Sequence, residues 1–109
     1  MRQFHATAWI IGLTAAGTLA NAETNEVFEN HCAACHGLDG RARTPQGKKL
    51  KTRDLKESRL TDEELLRRIR EGSKTPAGAI LMPSFAEILN HQEIQSAAQT
   101  AKAFRPPAP

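Results

Sequence analysis

The chain has 109 residues, a formal net charge of +3, 25% charged residues and 5% aromatic residues. This length allows one small domain and excludes several. Internal repeats and low-complexity blocks are absent from the sequence, apart from the proline-rich end, so a repeat protein is excluded as well.

The N-terminal segment is predicted to be a secretory signal peptide. A positive start at Met1-Arg2 is followed by thirteen uncharged residues from Ala8 to Ala20, which is fewer than the about 20 apolar residues needed to cross a bilayer. The small residues Ala20-Asn21-Ala22 then fit a signal-peptidase site. We therefore predict cleavage after Ala22, export to the periplasm and no stable insertion into the membrane.

The remaining chain is predicted to form one domain over residues 23–105, with a disordered tail at 106–109. Val, Ile, Leu and Phe make up 16 of the 87 residues after Ala22, which is 18%. A fraction below about 20% is typical of chains that fold poorly on their own. A group other than the protein's own side chains is therefore expected to complete the core.

Three segments have the sequence features of helices. The first runs from Thr24 to Cys35. The second opens with a capping box, in which Thr61 and Glu64 can exchange hydrogen bonds, and it ends at Gly72. The third begins at Asn90 with the same spacing of capping residues. Between these helices, no run of four or more residues alternates between apolar and polar side chains, so no sheet is expected and the predicted fold class is all-α.

Two long segments, 37–55 and 72–85, connect these helices. Both contain the glycine and proline residues that are typical of loops. Loops of this length are unusual in a small helical protein. They are expected to surround the group that completes the core.

The two cysteines, Cys32 and Cys35, are followed directly by His36, and this spacing is compatible with three kinds of site. A structural zinc site needs four ligands, and the chain has no second cysteine pair. A thiol–disulfide exchange motif is normally found in a βαβ arrangement, which this sequence does not predict. Zinc is therefore disfavoured, and thiol–disulfide exchange through Cys32 and Cys35 is kept as an alternative.

Cys-x-x-Cys-His is also the attachment signature of c-type haem. Two thiols in one helical turn can add to the two vinyl groups of the porphyrin, and the imidazole of His36 can then bind the iron. Haem would also account for the export signal, the small number of apolar residues and the two long loops. One covalently bound haem c is therefore the predicted cofactor.

With these features the chain, from about Val27 to Phe104, resembles the small class I c-type cytochromes of the bacterial periplasm. Phe28 is at the place of the aromatic residue that packs the first helix on the last. The stretch 35–40 matches the pattern CHGxxG, and 82–85 ("MPSF") is similar to the methionine loop. The resemblance implies a cytochrome c fold, with three main helices and two long loops wrapped around one haem. Alanines at 97–98 replace larger residues, which implies either weaker interlocking with Phe28 or a closer helix approach.

The resemblance also implies the residues of the site. Four would bind the group directly: Cys32 and Cys35 through thioether bonds, and His36 and Met82 as axial iron ligands. Met82 is the only methionine after the signal peptide, and His91 is the alternative sixth ligand. Pro45 is the candidate whose carbonyl accepts a hydrogen bond from the ring of His36. Arg53 is the candidate partner of the haem propionates, because the mature chain has no Tyr or Trp.

These inferences predict a soluble electron carrier, not an enzyme, in which the haem iron cycles between Fe(II) and Fe(III). A haem enzyme of peroxidase type is the alternative, but it needs an open sixth coordination position, which Met82 would fill.

Seven basic residues lie between Arg41 and Lys56, with Asp54 as the only acid. We expect this segment to steer a monomeric protein toward acidic redox partners. Nucleic acid is not expected, because no aromatic residues are interspersed with the charges.

Overall fold

The described part of the protein is mainly helical. The structure is a computed structural model that describes Gly12 and residues 20–107, with side chains from residue 26 onward, and most of the predicted signal peptide lies outside these residues. The helices are α1 (Ala20–His31), α2 (Ala33–His36), α3 (Pro45–Lys49), α4 (Asp62–Glu71) and α5 (His91–Ala103). They are joined by strands β1 (Ser73–Lys74) and β2 (Ile80–Met82) and by a 3-10 turn (Leu55–Glu57). Within these residues, no helix combines the length and the apolar character needed to span a membrane.

Helices α4 and α5 begin where the sequence predicts, and α4 also ends where it predicts. The Thr61 hydroxyl accepts from the Glu64 N–H at 3.2 Å, and the Glu64 carboxylate accepts from the Thr61 N–H at 2.7 Å. Asn90 and Glu93 exchange the same two bonds at 2.9 and 3.0 Å. Helix α4 ends at Gly72, whose φ of +71° lies in the region that favours glycine. Both predicted capping boxes are therefore confirmed.

The first predicted helix is broken at Cys32, which corrects the expectation of one helix from Thr24 to Cys35. Cys32 has a φ of −120° and separates α1 from α2. Its N–H still bonds to the Phe28 carbonyl at 2.9 Å, so the two helices remain joined by one turn. The break leaves Cys32 at the start of the short helix α2 and Cys35 within it.

The core forms where α1 packs against α5. Phe28 is only 3% exposed, and its ring centroid lies 5.2 Å from that of Phe104. The same cluster buries three alanines of α5, Ala97, Ala98 and Ala101. Helix α5 therefore contributes small side chains to this part of the core. This arrangement favours the second of the two expectations, a close approach of the first and last helices. Helix α4 adds further apolar side chains, Leu65 and Ile69.

The two long connections contain short elements that the sequence did not predict. The first holds α3 and the 3-10 turn, and the second holds an antiparallel pair in which Ser73 lies opposite Met82 and Lys74 opposite Ile80. The expectation of no sheet is therefore wrong for this pair. Strands of two and three residues are too short to show alternation, which explains the miss. The fold is otherwise helical, as predicted.

Candidate functional site

The turn formed by α2 brings together three of the predicted site residues. Cys32 is buried, Cys35 and His36 are half-buried, and neither cysteine forms a disulfide. The backbone N–H groups of Cys35 and His36 both donate to the Cys32 carbonyl, at 3.3 and 2.9 Å. Two free thiols and an imidazole therefore lie within one turn of backbone.

Burial controls the charge of these groups. Burial, with a smaller contribution from the neighbouring Cys35, raises the pKa of the Cys32 thiol to about 11. Burial also lowers the pKa of His36 below its usual value. At neutral pH the Cys32 thiol and the His36 ring are both uncharged, and the neutral imidazole is the form that binds a metal.

The His36 ring has an unusual feature. Its Nδ1 atom is buried and has no hydrogen-bond partner, whereas buried polar atoms in folded proteins are normally paired. A metal-binding histidine ordinarily donates its second ring N–H to a fixed acceptor. His36 has no such acceptor in this structure, so the fit to a covalently held haem rests on the two free thiols and the adjacent imidazole.

The segment after the motif folds back onto α2. The Thr44 hydroxyl accepts a hydrogen bond from the Gly47 N–H at 2.9 Å. It donates to the carbonyls of Ala34 and Cys35, at 2.7 and 3.1 Å. A Cβ atom on Gly47 would lie 2.2 Å from the Cys35 carbonyl oxygen, so only glycine fits there. Thr44 and Gly47 were missed by sequence reasoning, although threonine followed by proline is a recognisable helix start.

Pro45 and Arg53 are placed less directly. Pro45 is the first residue of α3 and is exposed. Because Nδ1 of His36 has no partner, the bond from His36 to the Pro45 carbonyl that the resemblance implies is not formed in this structure. Arg53 is also exposed, and its role as a propionate partner stays a prediction.

Arg105 is a half-buried arginine that sequence reasoning missed. Its Nη2 atom donates to the Leu60 carbonyl at 2.8 Å and to the Ser58 hydroxyl at 3.3 Å, while its Nε is buried without a hydrogen-bond partner. Arg105 therefore fastens the segment before α4 to the end of α5. No sequence pattern marks it, because the contact joins residues 45 positions apart.

Met82 lies on a different element from Cys32, Cys35 and His36, the other residues predicted to bind the haem. It is the last residue of β2, it is half-buried, and it packs against the core cluster that includes Cys32. His91, the alternative ligand, is exposed at the first position of α5. The predicted site therefore combines one turn, α2, with a loop that follows α4.

Comparisons with known proteins agree with this geometry. Residues 20–99 match the family model described as cytochrome c oxidase, cbb3-type, subunit III. The solved structure titled "KustC0563 c-type cytochrome" is similar at a TM-score of 0.65 and 28% identity, over 76% of this chain and 98% of that one. A structure of a point mutant of that cytochrome is similar at a TM-score of 0.63 and 29% identity, over 76% of this chain and 99% of the mutant.

A further structural match supports the fold alone. The Kuenenia stuttgartiensis reducing HAO-like protein complex Kustc0457/Kustc0458 is similar at a TM-score of 0.59 and 23% identity, over 76% of this chain and 41% of that one. No curated protein is similar enough to count as a match.

Proposed function

Because this chain belongs to the family of c-type cytochromes described as subunit III of cbb3-type cytochrome c oxidase, we propose that it is a soluble one-electron carrier with one covalently attached haem c. The observation that carries the proposal is the turn of α2, which holds Cys32 and Cys35 as free thiols beside His36. When bound there, haem c supplies a one-electron couple between Fe(II) and Fe(III). Cys32 and Cys35 would hold it by thioether bonds, and His36 and Met82 would be its axial ligands.

Thiol–disulfide exchange is less well supported. The nucleophile in that chemistry is a thiolate, and buried cysteines are generally inert. The pKa of Cys32 is raised to about 11 by burial, so almost none of this thiol is ionised at neutral pH. A permanent thioether bond suits such a residue better than repeated exchange.

The placement of Met82 supports a carrier over a haem enzyme. A peroxidase-type site needs an open sixth position and a polar distal pocket. Met82 is apolar, half-buried and packed against the core, and a thioether ligand would close that position. Methionine–histidine ligation also raises the reduction potential, which suits a protein that hands electrons onward.

The surface next to α2 is basic, which supports an acidic redox partner, and the predicted signal peptide favours the periplasm as the compartment. We define the basic segment as residues 41–56; its seven cationic side chains are all exposed in the structure: Arg41, Arg43, Lys48, Lys49, Lys51, Arg53 and Lys56. Thr44 and Gly47 hold this segment directly on the cysteine turn. A positive surface beside the attachment site would steer an acidic partner toward the cofactor.

The attachment is tested on protein produced with a haem-attachment system. We expect the haem to stay on the polypeptide through denaturing electrophoresis, and Cys32→Ala to weaken that retention. Ala34→Ser, at an exposed position of the same turn, is the matched control and should retain haem as the wild type does. Two titratable thiols in the wild-type protein would contradict the proposal.

The carrier role is tested by ligand binding to the reduced protein. Carbon monoxide should bind poorly to the wild type and readily to Met82→Ala, because the substitution opens a coordination position. His91→Ala should behave like the wild type. Rapid binding to the wild type would favour the haem enzyme instead.

The partner surface is tested by electron transfer to a purified acidic redox protein at increasing salt. The rate should fall strongly as the screening length shortens to about 8 Å at physiological ionic strength. Charge reversal at Lys48 and Lys51 should reduce both the rate and its salt dependence. Lys74→Glu, an exposed cation outside the basic segment, is the control. A rate that does not depend on salt would exclude steering by this surface.

A further inference from the structure

The loop that carries Met82 is fastened to the C-terminal end of α4. The last carbonyls of a helix have no partner within the helix. Here the Phe85 N–H donates to the Ile69 carbonyl at 3.0 Å, and the Ala86 N–H donates to the Arg70 carbonyl at 3.3 Å. The Ser84 hydroxyl donates to the same Arg70 carbonyl. The residues just after Met82 therefore complete the hydrogen bonding of this helix end.

Met82 itself lies close to Gly72, the residue that ends α4. A Cβ atom on Gly72 would lie 2.3 Å from the Met82 carbonyl oxygen and 2.7 Å from the carbonyl carbon of Pro83. The end of α4 thus touches the Met82–Pro83 peptide directly, and Ser73, the next residue, pairs with Met82 in the two-stranded sheet. Met82 and the four residues that follow it therefore lie against the end of α4.

Ser84 differs from the other contacts because it acts through its side chain. Ser84 is exposed, so its hydroxyl fills no part of the core and its removal leaves no buried cavity. The bond joins residues 14 positions apart, so it fixes the loop and not the helix itself. Removing this hydroxyl should loosen the loop while the rest of the fold remains.

We propose that Ser84 is a positioning residue, which holds the Met82 loop on α4 and so strengthens the binding of the Met82 sulfur to iron. The inference rests on the proposed function, because it takes Met82 as an axial ligand. A ligand carried on a fixed loop competes better against ligands in solution, since less freedom is lost when it binds.

The test is displacement of Met82 by imidazole in the oxidised, haem-loaded protein, followed through the sulfur-to-iron absorption band in the far red. One neutral hydrogen bond contributes modestly to holding a segment, so Ser84→Ala should lower the apparent Kd for imidazole about threefold to tenfold. Ser84→Thr keeps the hydroxyl and should restore the wild-type value. Ser96→Ala, the same change in α5, should leave the Kd unaltered.

The outcomes separate the inference from the function on which it rests. Absence of the band in the wild-type protein would show that Met82 is not the ligand, and the ligand assignment would fall with the inference. A band that is present in the wild type, with equal imidazole affinity in wild type and Ser84→Ala, would overturn the inference alone. Gly72→Ala provides a second variant, and it should weaken Met82 binding more than Ser84→Ala because its Cβ displaces the Met82 carbonyl.

Discussion

Replacing Phe28 by alanine should destabilise the protein more than any exposed substitution. The Phe28 ring is 3% exposed and lies against Phe104 at 5.2 Å between centroids. Phe→Ala substitutions in cores cost about 3–5 kcal/mol, and about 0.5–1.5 kcal/mol of this comes from the aromatic pair itself. The core cluster that contains Phe28 also contains the short side chains of Ala97 and Ala101, which cannot extend to fill the space. The cost should therefore lie in the upper part of the range.

Thermal unfolding of the haem-loaded protein, followed by far-UV circular dichroism, measures this cost. For a domain of this size, 1 kcal/mol corresponds to about 4–8 °C in Tm, so Phe28→Ala should lower Tm by more than about 12 °C. Ile88→Ala, at a side chain that is 60% exposed, is the control and should change Tm by less than about 4 °C.

A double substitution tests the pairing. Phe104→Ala added to Phe28→Ala should cost less than the sum of the two single changes, because the shared ring contact is lost only once. A fall in Tm of less than about 4 °C for Phe28→Ala, equivalent to under 1 kcal/mol, would refute the reasoning that the crossing of α1 and α5 is the core of this domain.

Three other predictions follow from the caps and from the small number of apolar residues. Thr61→Ala removes the acceptor for the Glu64 N–H and should cost about 1 kcal/mol, or about 4–8 °C in Tm, whereas an unchanged Tm would show that the cap contributes nothing. Hydrogen bonds from Thr61 lower the pKa of Glu64 below its usual 4.5, so the contribution of Glu64 to stability is present above pH 4.5 and is lost as the pH falls. Glu64→Gln should therefore make Tm fall less steeply on acidification. An equal slope in both proteins would contradict this. A haem-free chain carrying Cys32→Ala and Cys35→Ala should be largely unfolded. Only 18% of the residues after Ala22 are Val, Ile, Leu or Phe, and their burial must offset an ordering entropy of about 1–2 kcal/mol per residue. Cooperative unfolding with native helicity would contradict this prediction.

Local signals in the sequence were enough for α4 and α5, because a capping box depends only on residues three positions apart. Thr61 with Glu64, and Asn90 with Glu93, form the bonds that their spacing predicts. The match of residues 20–99 to the family model likewise agrees with the resemblance stated from the cysteine motif. The capping boxes and the cysteine motif are each encoded within a few neighbouring residues.

Long-range features could not be predicted in the same way. The contact of α2 with α3, through Thr44 and Gly47, joins residues nine or more positions apart, and no local pattern marks it. The contact of Gly72 with the Met82 carbonyl is likewise visible only once the loop has folded back. Such contacts join segments whose distance in the chain hides their proximity in space.

The packing of the first helix on the last has a consequence for the order in which the protein matures. The ring centroids of Phe28 and Phe104 lie 5.2 Å apart although the two residues are 76 positions apart in the chain, and closing so long a loop carries an entropic cost. Because a haem-free chain is expected to be largely unfolded, its Cys32 thiol should be open to modification. The fold that buries Cys32 would then form around the attached haem, so we expect attachment to precede the docking of α5. Cys32 in the full-length haem-free chain should accordingly be as reactive toward alkylating agents as in an unfolded peptide.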